Sequence, residues 1–396
     1  MDTNDSTSWA APTASRTKPS TWGFHSQTSV RFGRGVRKHL KDEIRDQRVL
    51  AVSSRRGRQQ LLSDHILAPH GGDFFWVDSV TENPGLKEIQ AALEKVDGQN
   101  FDCIVAFGGG SAIDFAKSLA AGLASGSGGQ DLRAIVSHPE SLLENHPLPI
   151  HAVPTTSGTG SEVTHFATIW DYENRKKLSL ASQTLAPKTA LVDSELTDLL
   201  PANATLSSGL DALNQAFESV WNKNRSPVTV GLASRAISLA LEALPALHQN
   251  LSNPVARDKM AEGSLLAGLC INQTRTAICH SISYPLTAHL GVPHGVACAF
   301  TMGEVLSLCV EQTPSLFDTV IRATGHRSAE ALRDEIRALL LHLGVAAKVR
   351  AATDNVDSIL ALKEEMVTPG RSDNFSLEID DDALAHLISR AYLDVS

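Results

Sequence analysis

The sequence has few aromatic residues, a negative net charge and no long uninterrupted apolar run. Aromatic residues make up 5% of the 396 residues, which argues against the base-stacking surfaces of proteins that bind single-stranded nucleic acid. A net charge of −9 argues against binding to nucleic acid or to an anionic membrane. Without a run of about eighteen apolar residues, no membrane-spanning helix is expected. With 42% hydrophobic and 20% charged residues, the composition is that of a soluble globular protein.

Cysteine is also scarce, and no two of the five cysteines form a Cys-x-x-Cys pair. An odd number of scattered cysteines predicts free thiols in a reducing compartment, so we expect a cytoplasmic protein. We expect Cys270, Cys279 and Cys298 to be buried core residues, and Cys279 is the candidate among them for a functional role because it adjoins His280. Residues 1–21 are polar, lack the apolar stretch of a secretory signal, and are predicted to form a disordered tail.

Short apolar runs alternate with helical patterns in the first half of the chain. The predicted strands include RVLAVSS, FDCIVAF and PIHAVP. This alternation is typical of a largely parallel sheet with helices on both faces. After about residue 202, the apolar spacing becomes helical, and Gly and Pro separate long segments. We therefore predict an α/β domain over residues 22–201 and an all-helical domain over residues 202–396.

Two loops rich in small residues follow predicted strands. The first, GGGSAID, lets the backbone approach a ligand closely, and the N–H groups at the following helix start suit a pyrophosphate, although the GxGxxG spacing is missing. The second, PTTSGTGSE, is rich in hydroxyl groups that can bind a ribose, an amide or a phosphate. Both features predict a nucleotide-binding cleft at the sheet edge. The predicted cofactor-binding residues around these loops are Gly109, Gly110, Ser111, Asp114, Thr155, Thr156 and Thr164.

The end of the strand in VLAVSSRRGR bears on which nucleotide is bound. An NAD site usually ends this strand with an acidic residue that hydrogen-bonds the ribose 2′-hydroxyl. Here Ser53 and Ser54 are followed by Arg55 and Arg56, and small hydroxyls beside a cation favour a 2′-phosphate. We therefore predict NADPH, with NADH as the alternative, while two solvated surface arginines would explain the same pattern.

Four polar residues in the helical half have a spacing that suits a metal site. Asp211 and Gln215 lie four residues apart, which places them on one helix face. His280 and His294 lie fourteen residues apart, and the prolines and glycine between them exclude one continuous helix. On separate helical pieces, the two imidazoles can reach a common centre. These residues predict a divalent metal site, although ordinary core histidines are the open alternative.

Five segments together resemble the iron-containing alcohol dehydrogenases: GGGSAID, PTTSGTGSEVT, GLDAL, HSISYPLTAHLGVPHG and MVTPGRSDN. The resemblance runs from about residue 28 to the C-terminus and implies a dinucleotide-binding α/β domain followed by a helical metal-binding domain. It also implies a divalent ion, Fe(II) more often than Zn(II), held by an Asp and three His. Asp211, His280 and His294 match this pattern, but Gln215 stands where the family has a His. We expect weaker metal binding with less preference for zinc, or an empty site.

Within the family, three segments resemble the members that reduce phosphonoacetaldehyde to 2-hydroxyethylphosphonate in phosphonate natural-product pathways: ATIWDYENRKKLSLAS, FESVWNKN and HSISYPLT. A dianionic phosphonate requires cations in the pocket, and Arg suits a two-point contact. Arg275, five residues before His280, is the predicted phosphonate ligand. Arg371 and Lys223 are weaker candidates, which are equally explained as surface charges. That alternative is weaker for Arg275, because it stands in an otherwise apolar and hydroxylic stretch.

Two further residues are expected to serve the chemistry. Lys177 matches a family lysine near the cofactor, and Tyr284, one helical turn from His280, can donate a proton or orient the substrate unless it is a core aromatic residue. The family resemblance also suggests a homo-oligomer. Two other functions stay open: reduction of an uncharged aldehyde or diol, and a non-catalytic nucleotide-binding protein whose metal site has been lost through Gln215.

Overall fold

The computed structural model describes residues 21–64, 73–125, 132–174, 176–353, 355–367 and 369–393, so residues 1–20 of the predicted tail lie outside it. The strands among these residues are β1 (Ser29–Phe32), β2 (Val49–Ser53), β3 (Phe74–Val77), β4 (Cys103–Gly108), β5 (Ile150–Pro154), β6 (Phe166–Asp171), β7 (Lys176–Ala181) and β8 (Thr189–Val192).

Six of these strands form one parallel sheet, in the order β1-β8-β5-β4-β2-β3. The central strand β4 sends Ile104 and Ala106 into one hydrophobic core and Val105 and Phe107 into another, so both faces of the sheet are covered. Burial on both faces is why its sequence is continuously apolar. The predicted parallel sheet is confirmed, but β6 pairs antiparallel with β7 in a separate hairpin.

Helices surround the sheet and make up most of the second half. In the first half they are α1 (Leu40–Glu43), α2 (Arg55–Ser63), α3 (Leu86–Val96), α4 (Gly110–Ala124) and α5 (Leu132–Ser137). In the second half they are α6 (Ala202–Val220), α7 (Pro227–Gln249), α8 (Pro254–Thr274), α9 (Ile278–Leu290), α10 (His294–Phe300), α11 (Met302–Gln312), α12 (Asp318–Thr324), α13 (Ala329–His342), α14 (Val345–Arg350), α15 (Asp357–Leu360), α16 (Lys363–Met366) and α17 (Asp381–Leu393).

The helices from α6 onward share one hydrophobic core, to which Leu213, Phe217 and Ile282 contribute fully buried side chains. The predicted fold class, an α/β part followed by an all-helical part, is confirmed. The change of architecture falls between the end of β8 at Val192 and the start of α6 at Ala202. The domain limits 22–201 and 202–396 stay proposals.

Among the described helices, α7 is long and apolar enough to cross a membrane by length and composition alone. Half of its most apolar window is buried inside the protein, with Ala233, Ile237 and Ala240 at 0–1% exposure. That burial is the pattern of a core helix, which passes the same test of length and composition.

The ends of two central strands and three helices meet at one place. Gly108 at the end of β4 pairs with Pro154 at the end of β5, and α4 begins two residues after Gly108. Facing these strand ends are α6, α9 and α10. Ligands of open parallel sheets bind outside the carboxyl ends of the strands, so this is where a site is expected.

Candidate active site

A cavity of about 310 Å³ lies between the strand ends and the helical part. Both loops of the first half and the helices that carry the predicted metal ligands contribute to its walls. The predicted site residues that line it are Gly110, Ser111, Asp114, Thr164, Lys177, Asp211, Gln215, Arg275, His280, Tyr284, His294 and Arg371. The structure therefore brings together residues that are up to 261 positions apart in the chain.

The two small-residue loops pack against each other. A Cβ atom at Gly110 would lie 2.4 Å from Thr159 Oγ1, so the close approach there requires glycine, while one at Gly109 would make a tight contact of 3.1 Å with Thr156 Oγ1. Gly109 caps α4 without a side-chain hydrogen bond among the described residues. The first N–H groups of α4 are therefore available to an anionic ligand such as a pyrophosphate.

A buried lysine, which was not predicted as a site residue from the sequence, connects these loops by hydrogen bonds. Lys117 in α4 is fully buried, and its Nζ donates to the carbonyl oxygens of Ser161 (2.7 Å) and Phe166 (2.8 Å) and to Thr164 Oγ1 (3.2 Å). Burial lowers the pKa of Lys117 to about 8 and raises that of Asp114, which accepts a hydrogen bond from Ser161 Oγ. A lysine three residues after Asp114 was the available signal, because it lies on nearly the same helix face.

A second cavity, of about 610 Å³, lies at the end of β2. Ser54, Arg56 and Thr155 line it. Ser54 also caps α2, since its Oγ accepts a hydrogen bond from the Gly57 N–H. A cation and hydroxyl groups at this place are what a 2′-phosphate requires.

Two predicted cofactor residues do not reach this second cavity. Ser53 is fully buried, and its Oγ donates to the Phe107 carbonyl oxygen at 2.7 Å, so its hydroxyl joins β2 to β4. Arg55 is exposed and absent from the cavity lining, while its neighbour Arg56 lines it. A period of two along a strand and of about 3.6 along a helix decides which residue of such a run faces a ligand.

Lys223 is likewise not brought to the active-site cavity. It lies on an exposed turn after α6, where its backbone N–H donates to the Asn374 carbonyl oxygen at 2.8 Å. The sequence placed it near the other cations only through a family segment.

Three helices bring together the predicted metal ligands of the cavity. Asp211 Oδ1 lies 3.2 Å from His280 Nε2, and the rings of His280 and His294 are 5.4 Å apart between centroids. Gly295 makes this possible, because a Cβ atom there would lie 1.7 Å from the Ser207 carbonyl oxygen of α6. The backbone of α10 therefore rests directly on α6, with His294 beside Asp211.

Glu218, which was also not predicted as a site residue from the sequence, orients His280. It is fully buried, and its Oε2 lies 2.8 Å from His280 Nδ1 and also accepts the Ala277 N–H at 2.7 Å. A proton on His280 Nδ1, held by Glu218, would leave the Nε2 lone pair free for a cation beside Asp211, which is the arrangement found in carboxylate–histidine–metal sites. The spacing 211, 215, 218 on one helix face was the available signal.

The donor atoms fit a divalent cation. Asp211 Oδ1 and Gln215 Oε1 are buried and have no hydrogen-bond partner among the described residues. Two acceptors, Asp211 Oδ1 and His280 Nε2, thus face each other, and a cation between them satisfies both. Without a metal, a proton takes that place: burial alone would lower the pKa of His280, but Cys298, Glu218 and Asp211 raise it well above its ordinary value.

A cysteine shares this place with the histidines. Cys298, one helical turn after His294, is fully buried, and its Sγ lies 3.7 Å from His294 Nε2. Its sulfur and one ligand atom each of Asp211, His280 and His294 all lie within 4.8 Å of one another. The sequence alone predicts Cys298 in the apolar core and favours Cys279 instead, although a spacing of four from a candidate ligand is visible.

Tyr284 lies between two cations. Lys177 Nζ is 3.7 Å and Arg371 Cζ is 4.5 Å from the centre of its ring, and the His294 ring stacks on it at 6.0 Å. Burial alone would raise the pKa of the phenol, but Lys177 and Arg371 lower it. Such a phenol is a better proton donor than an ordinary tyrosine.

Arg275 has an unusual backbone conformation at the end of α8. Its φ of 63° and ψ of 175° fall in a region that glycine alone adopts readily. Neighbouring side chains fix it, since its carbonyl oxygen accepts hydrogen bonds from Asn222 Nδ2 (3.2 Å) and Thr274 Oγ1 (2.9 Å). The guanidinium lies 5.4 Å from the Phe166 ring centre.

The cavity carries more cations than its carboxylates neutralise. Arg275, Arg371 and Lys177 line it, and none of them forms an ion pair with a carboxylate among the described residues. The lining acids, Asp114 and Asp211, are engaged with Ser161 and with the histidine cluster. The remaining positive charge is available to an anionic ligand.

Comparison with known proteins agrees with this geometry. Of the curated relatives, a phosphonoacetaldehyde reductase of Streptomyces viridochromogenes is 36% identical over 230 residues, which cover 57% of this chain and 58% of that protein. A sulfoacetaldehyde reductase of Bilophila wadsworthia is 35% identical over 217 residues, 55% of each chain. The aligned segment thus spans less than two thirds of either relative.

A solved sulfoacetaldehyde reductase of Bifidobacterium kashiwanohense, in complex with NAD+, superposes with a TM-score of 0.83 at 27% identity, over 94% of this chain and 99% of that one. Two family profiles also match: "Iron-containing alcohol dehydrogenase" over residues 27–194, and "Fe-containing alcohol dehydrogenase family, C-terminal" over residues 205–389. The chain belongs to the iron-containing alcohol dehydrogenase family.

Proposed function

We propose that the protein reduces a small aldehyde with an anionic tail, and that this aldehyde is phosphonoacetaldehyde, reduced with NADPH to 2-hydroxyethylphosphonate. One observation carries the proposal: Arg275 and Arg371 line the same cavity as Asp211, His280 and His294, without carboxylate partners among the described residues. Unpaired guanidinium groups in a partly enclosed cavity favour a dianion over a neutral substrate. The similarity to reductases of phosphonoacetaldehyde and sulfoacetaldehyde supports the same substrate class.

The cofactor would extend along the strand ends. The N–H groups at the start of α4, beside Gly109 and Gly110, bind the pyrophosphate. Ser54 and Arg56 bind the 2′-phosphate of NADPH, and NADH is the alternative that lacks this contact. Lys177 and Thr164 lie at the other end of this path, where the nicotinamide would meet the metal ligands.

Asp211, His280 and His294, with the amide oxygen of Gln215, would hold the divalent ion, which we expect to be Fe(II) more often than Zn(II). When bound, the ion supplies Lewis-acid polarisation of the aldehyde oxygen, and the nicotinamide supplies the hydride. The protein orients the tail: Arg275 and Arg371 hold the phosphonate and set the aldehyde carbon against the cofactor.

Tyr284 would deliver the proton. Its hydroxyl hydrogen passes to the alkoxide oxygen, and Lys177 and Arg371 stabilise the phenolate that results. A donor of this kind typically contributes roughly 10²–10⁴-fold to the rate. Burial of Tyr284, which is 9% exposed, keeps bulk water from competing for the proton.

The test is NADPH oxidation by the purified holoenzyme with phosphonoacetaldehyde, sulfoacetaldehyde and propanal, in the wild type and in Arg275→Ala. We expect the phosphonate to be used best, and Arg275→Ala to lower kcat/KM for both anionic aldehydes while sparing propanal. Equal use of propanal by the wild type would mean an uncharged substrate. A preference for sulfoacetaldehyde would mean that the substrate carries a sulfonate and not a phosphonate, and would leave the substrate class, a small aldehyde with an anionic tail, unchanged. Tight NADPH binding with no turnover of any aldehyde would favour a non-catalytic nucleotide-binding protein.

We also propose that the enzyme is cytoplasmic and homo-oligomeric, with neither nucleic acid nor a membrane as partner. Its five cysteines are all unpaired and buried, as in a reducing compartment. Light scattering of the purified protein tests the oligomeric state, and a single-chain mass would contradict it.

A further inference from the structure

The side chains around Asp211 contain one more metal-binding atom than the family resemblance implies. Cys298 Sγ belongs to the group of ligand atoms that lie within 4.8 Å of one another. Because the sulfur is fully buried and one turn from His294, it shares the face of α10 that rests on α6.

We propose that the thiolate of Cys298 is a ligand of the metal ion in this site, in the place that a fourth strong donor would occupy. The inference rests on the proposed metal site and adds to its ligand set. Gln215 offers only a neutral amide oxygen, whereas a thiolate adds a negative charge and a strong bond to soft or borderline ions.

The distances agree with tetrahedral coordination. With metal–nitrogen and metal–oxygen bonds of about 2.0–2.1 Å and a metal–sulfur bond of about 2.3 Å, neighbouring ligand atoms of a tetrahedral site lie roughly 3.3–3.6 Å apart. Asp211 Oδ1 and His280 Nε2 are 3.2 Å apart, and Cys298 Sγ and His294 Nε2 are 3.7 Å apart. The first pair is therefore close to an edge of such a tetrahedron. The sulfur also lies 3.8 Å from His294 Nδ1, so the imidazole of His294 must rotate to direct one nitrogen at an ion that the sulfur shares.

A second observation points independently to a ligand at this place. Asp211 is 3% exposed, and its Oδ1 has no hydrogen-bond partner among the described residues. A buried acceptor is stabilised by a hydrogen-bond donor or by a cation, and an ion beside Asp211 supplies the second. As the ion binds, the Cys298 thiol proton leaves to solvent and a sulfur–metal bond forms, without transfer of electrons.

Cys279 provides a matched control. It is fully buried in the same helical core and adjacent in sequence to His280, yet it is not in the ligand group. A serine at either position replaces a sulfur atom by an oxygen atom. A difference between the two variants therefore reflects the position of the sulfur and not the type of substitution.

The experiment replaces the native ion of the full-length protein with Co(II) and records the near-ultraviolet absorption. A cobalt–thiolate bond gives a sulfur-to-metal charge-transfer band, which nitrogen and oxygen ligands do not give. At equal cobalt content, we expect the band in the wild type and in the Cys279→Ser and Gln215→Leu variants, and its loss in Cys298→Ser. Circular dichroism shows that each variant is folded.

Metal affinity gives a second readout. In competition with a chelator, Cys298→Ser should lower the affinity for Zn(II) by at least about 10-fold and the affinity for Fe(II) by less, because sulfur favours zinc. Cys279→Ser should change neither affinity.

The outcomes separate this inference from the proposed function. Cobalt bound to an active wild type without the band, or a band that persists in Cys298→Ser, overturns the thiolate ligand and leaves the aldehyde reductase in place. Loss of the band in Gln215→Leu, with the band kept in Cys298→Ser, would also overturn the thiolate ligand, because the band would then depend on the amide and not on the sulfur. A wild type that binds no divalent ion overturns the metal site itself, and aldehyde turnover by that protein decides the proposed function separately.

Discussion

At the scale of single residues, Arg275 has a strained backbone, which lowers the stability of the fold, and a side chain that lines the cavity. A non-glycine residue with φ near 63° and ψ near 175° typically costs about 1–3 kcal/mol. Such strain persists where the surroundings fix it, and here Asn222 and Thr274 hold the carbonyl oxygen. The strained backbone aims the guanidinium into the cavity, which is why we assign it the substrate tail.

Replacing Arg275 by glycine should therefore separate stability from activity. We expect Arg275→Gly to raise the free energy of unfolding by about 1–3 kcal/mol, because glycine adopts this conformation without strain. It should also lower kcat/KM for the anionic aldehyde as much as Arg275→Ala does. Urea denaturation and steady-state kinetics measure the two effects. A glycine variant no more stable than the alanine variant would show that the backbone is not strained.

Two neighbouring arginines test the cofactor assignment. Arg56 lines the second cavity and Arg55 does not. We expect Arg56→Ala to raise KM for NADPH by about 10-fold or more, the effect of losing a charged contact, and to leave KM for NADH unchanged. Arg55→Ala is the control with the same change of charge. Equal effects of both variants would assign the arginines to the solvated surface.

Tyr284 should give the reaction an alkaline limit. A proton donor must be protonated, so activity falls as pH rises through its pKa, which Lys177 and Arg371 hold below the ordinary value of 10.0. We expect the wild-type kcat to fall on the alkaline side and Lys177→Ala to move that fall to higher pH. Tyr284→Phe should abolish the fall and lower kcat by roughly 10²–10⁴-fold. An unchanged pH profile in Tyr284→Phe would assign the proton to another donor.

Residue types with a fixed spacing were predictable, and side-chain direction was not. Asp211, His280 and His294 follow from the family pattern and do meet. Cys298 is buried as predicted, but its place beside His294 could not be predicted, because an apolar segment looks the same whether or not a thiol in it faces polar side chains. The side chain of Ser53 was expected to face the cofactor, but its Oγ donates to the Phe107 carbonyl oxygen. Its position in the sequence, at the end of a strand, does not show this direction.

At the scale of elements, the contact between α6 and α10 sets how close the proposed metal ligands Asp211 and His294 lie. Gly295 is the residue at which the two backbones approach, with the Ser207 carbonyl oxygen too close for any side chain. His294 precedes it directly, so the separation of the two helices sets the distance from His294 to Asp211.

We expect Gly295→Ala to push α10 away from α6, to lower the free energy of unfolding by about 1–3 kcal/mol and to abolish tight metal binding. Gly231→Ala in α7 is the matched control, because no atom lies within 4 Å of a Cβ there. Alanine should stabilise that helix by about 0.5–1 kcal/mol. Metal content and thermal unfolding distinguish the two variants. Full metal content in Gly295→Ala would mean that α10 does not set the ligand distance.

The presence of a strand was easier to predict from the sequence than the strand with which it pairs. Continuous apolar runs such as that of β4 require burial on both faces, which identifies a parallel sheet. By contrast, β6 reads like any other strand, and its antiparallel pairing with β7 depends on the turn between them and on contacts remote in sequence.

At the scale of the whole molecule, the proposed metal ligands come from helices of one hydrophobic core. The unfolded chain has no such arrangement, so an ion that binds the folded state stabilises it in proportion to RT ln(1 + [metal]/Kd). We expect about 2.7 kcal/mol of added stability at a metal concentration of 100 times Kd. Differential scanning calorimetry before and after chelation measures this, with Asp211→Asn as the variant that should lose the effect. An unchanged Tm would mean that the cluster does not bind the ion.

Gln215 and Cys298 stand on different helices, yet both reach the same few ångströms around Asp211. Under the proposed ligand set, either α6 or α10 can supply the fourth donor to the ion beside Asp211. Under this ligand set the two positions would not vary independently among relatives: a chain with histidine at position 215 would not need sulfur at position 298, whereas a chain without that histidine would. The history of the site would be recorded as a pair of linked substitutions.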